Sequence, residues 1–169
     1  SELTQRLVRP SRPVPEPVLY ELKAMITNDQ SWRLPVYKEI HALGCDTLSL
    51  EACMKGLLTL GQAMTLGLNL PVSKPGEPLW QTALRHEKEF HERPGYIIIP
   101  NVGVVVASEL TPQTEALLSG FARMTLRLQT TTDLLTFTVD DIKPYLEWQK
   151  NRWLEESYSS EFSGVSTKV

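Results

Sequence analysis

The sequence predicts an α+β domain, predominantly helical, with about five to six helices and one β-hairpin. Three observations carry that class. Apolar residues recur at helical spacing in several separate windows. A single pair of β-branched runs, Tyr96–Ile99 and Val104–Val106, flanks a short turn containing Pro100 and Gly103. With 169 residues, 41% of them hydrophobic, the chain is also long enough to bury a core.

Residues 1–16 read as an extended arm. Pro10, Pro13 and Pro15 lie there, with Pro17 just beyond, and Arg6, Arg9 and Arg12 are spaced three apart. Proline at that density removes backbone donors and favours polyproline II. The globular body is expected over 17–158, followed by a polar Ser/Thr-rich tail over 159–169. Pro17 suits the first position of a helix whose stripe is Val18, Leu22, Met25 and Ile26. Pro35 can start a second, short helix with Val36, Ile40 and Leu43 inward, closed by Gly44 in a left-handed conformation. Ser49–Leu68 repeats Leu50, Cys53, Met54, Leu57, Leu60, Met64 and Leu68 at helical spacing, interrupted by three glycines.

A fourth helix runs from Pro78 to Glu92, with Leu79, Ala83 and Phe90 inward and Trp80 and Leu84 beside that stripe. The hairpin follows, read with a four-residue loop from Pro100 to Gly103 whose left-handed residue is the glycine. Its bulky strands suit burial on both faces. Thr111-Pro112 is an N-cap with proline behind it, opening a helix whose stripe is Leu117, Phe121, Met124 and Leu128. Leu134–Val139 is compatible with a third strand, and Asp140 or Asp141 caps a final helix reaching about Tyr158.

Several functions are disfavoured at once. The formal net charge of -3 argues against non-specific nucleic-acid binding. No apolar run is long enough to span a membrane, and Cys45 and Cys53 make no disulfide scaffold, which suits a reducing cytoplasm or a particle assembled in one. Phosphate-loop, dinucleotide and G-x-S-x-G motifs are absent.

The stretch from Arg85 to Glu92 invites comparison with the zinc motif H-E-x-x-H, but His86 and His91 are five apart rather than four. At about 100° per residue they diverge by about 140°, so His86 joins the inward stripe while His91 falls with Trp80, Leu84 and Glu87. His41 lies near Cys45, but nothing in the sequence places a base on that thiol. No metal or cofactor is therefore expected. Asp140-Asp141 reads as capping.

Trp148 on the final helix projects about 120° from the inward stripe of Ile142, Tyr145, Leu146 and Trp153, close to Arg152. A large aromatic off the core face beside an arginine has the chemistry of a protein-binding hot spot. Ile97–Val106 and the following helix resemble the C-terminal strand–turn–helix of class II aldolases. That motif has histidine before the glycine where this chain has Val102, and the paired metal histidines have no counterpart here. The likeness implies local structure and no aldolase chemistry.

The reading these residues favour is a non-catalytic assembly subunit, of which a viral or phage structural component is one form. It would bind neighbouring protein chains, or copies of itself, through Arg6, Arg9, Arg12, Trp148 and Arg152. A small enzyme with a site around His86 and His91 is the alternative. A DNA-binding adaptor with a wing-like hairpin is the second; Arg123 and Arg127, sharing a helix face, would suit it.

Overall fold

A computed structural model describes residues 11–51, 53, 54 and 70–128, all within the compact unit Ser1–Thr136. The α+β class holds. The described elements are α1 (Leu19–Ile26), β1 (Trp32–Arg33), a 3-10 turn (Lys38–His41), α2 (Ala42–Cys45), α3 (Thr47–Glu51), α4 (Leu79–Phe90), β2 (Tyr96–Ile99), β3 (Gly103–Ala107) and α5 (Pro112–Leu126). No described helix is long and apolar enough to cross a membrane.

The sheet is antiparallel with β3 in the middle, in the order β1-β3-β2. Tyr96 pairs with Val106, Ile97 with Val105, Ile98 with Val104 and Ile99 with Gly103. Every residue of β2 and β3 is buried, as the unbroken β-branched runs predict. Among the described residues the sheet also takes in Trp32–Arg33, which pairs with Ala107 and Val106. The expected strand at 134–139, the helix capped at 140–141 and the tail at 159–169 lie outside the described residues. The outer edge of β2 is covered by residues 71–73. Ile98 N–H donates to Pro71 O at 2.8 Å, and Ser73 N–H donates to Ile98 O at 2.9 Å. That contact removes a free strand edge.

Alternation sends Ile97, Ile99, Val105 and Ala107 to one sheet face, where Leu22 of α1 and Leu79 of α4 complete a cluster with Trp32. Ile26 and Ala83 pack against it from the same two helices. The hairpin differs in detail from its expectation. Its turn is Pro100-Asn101-Val102, closed by Val102 N–H to Ile99 O at 3.0 Å. Asn101 carries the left-handed φ of 64°, and Gly103, already the first residue of β3, has a positive φ of 152°. Proline second and a positive-φ asparagine third satisfy a type II turn.

Two helix starts also move, and one inward face differs. The first helix begins at Leu19 rather than Pro17: Val18 is its N-cap, with φ -85° and ψ 80°, and donates its N–H to Val102 O at 2.9 Å. Residues 34–37 are not helical: Val36 N–H donates to Glu115 Oε1, and its side chain is 76% exposed instead of inward. Ile40 and Leu43 are buried as expected. The inward face of α5 is Glu115, Leu118, Ser119, Phe121, Ala122, Thr125 and Leu126, leaving Leu117 and Met124 half-buried. Its polar members are inward because they are bonded there. Ser119 Oγ donates to Glu39 at 2.6 Å and Thr125 Oγ1 to Ala122 O at 2.7 Å.

Gly44 is not a left-handed terminator; it lies inside α2. A Cβ there would stand 2.5 Å from Gly103 O and 2.8 Å from Ile99 O, both backbone atoms of the hairpin. The bare backbone lets α2 approach closely enough for Asn101 N–H to reach Gly44 O at 2.9 Å. Helix propensity alone would make Gly44→Ala stabilising by about 1 kcal/mol. The close approach reverses the sign, and the substitution should cost about 1–3 kcal/mol in chemical denaturation. A neutral or stabilising Gly44→Ala would show that the approach is not tight.

Candidate partner-binding surface

The helix α4 is fixed at its start by a charged knot. Glu77 accepts Arg85 Nη2 at 2.7 Å and Nε at 3.3 Å, Thr82 Oγ1 at 2.6 Å and Lys74 N–H at 3.2 Å. Arg85 Nη2 also donates to Val72 O at 2.9 Å, which ties the helix to the segment covering β2. The Arg85 guanidinium, helped by the other donors, holds the Glu77 carboxyl down at about 2. Leu79, Thr82 and His86 face the interior, and the His86 ring lies 4.8 Å from that of Phe90. The helix ends at His91, whose φ of 56° is left-handed and whose N–H donates to Glu87 O at 2.8 Å. Glycine relieves that conformation, so His91→Gly should raise thermal stability by about 1 kcal/mol; an unchanged melting midpoint would contradict this.

With one side so anchored, the other is open. Trp80 is 64% exposed and Leu84, one turn on, is exposed beside it. Gln81, Glu87, Lys88 and His91 complete the outer face. The neighbouring α1 covers the same sheet face and likewise presents Leu19, Tyr20 and Met25 outward, Tyr20 at 75% exposure. By contrast α5, the longest described helix, has no exposed large hydrophobic residue.

The residues singled out in the sequence fall differently. Arg6, Arg9, Trp148 and Arg152 lie outside the described residues. Arg12 is turned onto its own domain. Its Nη2 meets Asp46 Oδ2 at 2.7 Å and Thr125 O at 2.9 Å, its Nη1 donates to Leu128 O, and its backbone N–H donates to Leu126 O at 2.9 Å. The cause is the end of α5, whose last carbonyls lack helical partners and accept a cation readily. Asp46 also caps α3 by accepting Ser49 N–H at 2.8 Å. Burial would raise the Asp46 carboxyl, but the hydrogen bonds from Arg12 and Ser49 outweigh it and hold it low.

His86 and His91 are not brought together: one is buried, the other on the open face. His41 is buried with its Nδ1 accepting Val104 N–H at 3.2 Å. Burial pushes the Cys45 thiol up to about 11 and Cys53 up to about 12, the reverse of what a nucleophile needs. Among the described residues no group of three or more His, Cys, Asp or Glu could hold a metal. The hairpin Tyr96–Ala107 contains no Lys or Arg and is largely buried, so it offers no basic wing.

No family model, curated protein or solved structure matches the chain. The open face of α4 was within reach of the sequence. Helical angle places Trp80 about 130° from the middle of the inward arc of Leu79, Thr82 and His86.

Proposed function

We propose that the chain is a non-catalytic assembly subunit that binds neighbouring protein chains, with its docking face on the outer side of α1 and α4. The observation that carries this reading is which helices expose large apolar side chains. Leu19, Tyr20, Met25, Trp80 and Leu84 are exposed on α1 and α4, Val14, Val36, Tyr37 and Met54 are exposed elsewhere, and α5 presents none. Tryptophan and tyrosine are the residues that dominate interface energetics, and a rigidly anchored helix offers them with little ordering cost. Arg6 and Arg9 of the N-terminal arm would add a basic contact to an acidic patch on the partner.

The test is a substitution that removes the face without touching the fold. Trp80 sits in the first turn of α4, where an aspartate complements the helix N-terminus, so Trp80→Asp should leave the melting midpoint unchanged or slightly higher. Full-length protein and this variant are purified from cells that make the protein, with Val36→Ser as an off-face control. Chains that accompany the wild type and the control should be lost from Trp80→Asp. Identical companions in all three preparations would overturn the reading.

A further inference from the structure

Resting on the docking face just described, we infer that its occupant is a second copy of this chain, seated antiparallel with Leu84 on the two-fold axis. The outer face of α4 is complementary to itself in that arrangement. At 1.5 Å and 100° per residue, Trp80 and Glu87 lie on one flank of Leu84, and Gln81 and Lys88 on the other. A two-fold axis through Leu84 brings Trp80 level with Glu87 of the second copy, so an indole N–H faces a carboxylate. On the other flank Gln81 meets Lys88 of the second copy, so an amide oxygen faces an ammonium. The two leucines meet between them. Each helix N-terminus then lies beside the C-terminal end of the other, and the helix dipoles oppose.

Such a contact is isologous and closes on itself, as most homo-oligomeric interfaces do. One helix of twelve residues presents less than the about 800 Å² per partner of a stable complex. Leu19 and Tyr20 are exposed on α1, which packs on the same core cluster as α4. The pair is accordingly a reversible one in the micromolar range.

Sedimentation velocity of the full chain over about 1–100 μM should show a monomer–dimer equilibrium. Trp80→Asp and, independently, Leu84→Lys should each raise the dissociation constant at least about tenfold while circular dichroism stays unchanged. Leu84→Cys should be trapped as a covalent dimer by a short bis-maleimide, whereas wild type, with Cys45 and buried Cys53 alone, should not. Trp80→Cys should cross-link poorly, because the antiparallel axis separates the two copies of that position. A chain monomeric throughout, or a dimer indifferent to both face variants, overturns the self-pairing. If the chain is monomeric and Trp80→Asp still loses its companion chains in the cellular purification, self-pairing alone has failed. If those companions are also indifferent to it, the docking face has failed too.

Discussion

Arg33→Ala should lower the stability of the domain by about 3 kcal/mol, the low end of the range for stranding a buried charge. Glu115 is the reason. Its side chain is 3% exposed and accepts Arg33 Nη1 at 2.7 Å and Val36 N–H at 3.2 Å. The guanidinium also reaches Leu34 O and Leu110 O at 3.3 Å and Ser108 O at 3.4 Å, so one side chain joins β1, the following loop and the approach to α5. Removing it leaves a carboxylate inside with a single backbone donor and three carbonyls short of a partner. About a third of Arg33 is in water, and Glu115 lies in the first turn of α5, where the helix N-terminus favours an anion. Both effects keep the cost at the lower end. Arg33→Lys retains the charge but not the fork, and should lose about 1–2 kcal/mol. The double variant Arg33→Met/Glu115→Leu removes both charges and should lie closer to wild type than Arg33→Ala does. Guanidinium denaturation measures all three. An Arg33→Ala loss below about 1 kcal/mol would mean that the pair is held more loosely than its geometry implies.

That arginine also explains where the sequence stops being readable. The hairpin, α4 and the start of α5 are local events. Pro78 precedes α4, Thr111 Oγ1 accepts Thr114 N–H at 3.2 Å at the start of α5, and the runs of Ile and Val need no distant help. The strand β1 has two residues, too few for alternation, and exists because β3 and the Arg33 fork hold it. The late start of the helix expected from Pro35, at Lys38, has the same origin, since Leu34 O and Val36 N–H are drawn to Arg33 and Glu115. Arg12 looked free because its partners are 34 to 116 residues away. The inner face of α5 was misread for a related reason: Glu115, Ser119 and Thr125 are polar, and only their tertiary partners make them interior residues. The split between His86 inside and His91 outside was legible, because helical angle alone decides it.

The second large effect is on pH. His41 is buried between the 3-10 turn and β3, where its Nδ1 accepts Val104 N–H and lies 2.8 Å from where a Cβ of Gly103 would be. An acceptor at Nδ1 requires the neutral ring with its proton on Nε2. Protonation would turn that acceptor into a donor facing another donor. Burial lowers the His41 pKa from the ordinary 6.5 to about 4, and the nearby Glu16 carboxylate, itself paired with Lys38, only partly opposes this. Because the folded-state value is the lower one, the unfolded chain binds the extra proton. Stability is therefore complete above about pH 6.5, falls as pH drops toward about 4, and loses nothing further from this group below that. At about 1.4 kcal/mol per unit the ceiling is about 3.5 kcal/mol, and solvent screening near the exposed Glu16 brings the expected loss to about 2 kcal/mol.

The carboxylates act in a different window. The Glu77 pKa is depressed to about 2, so its contribution is lost only as pH falls from about 4.5 toward 2. His41→Asn keeps an acceptor near the Nδ1 position and cannot charge. Its stability should lack the part of the wild-type fall between pH 6.5 and 4 that His41 causes, and follow the wild-type slope below that. Taking the difference between the two curves cancels the groups that do not interact with His41. A difference curve that is flat from pH 6.5 to 4 would show that the imidazole is protonated without losing its place against Val104.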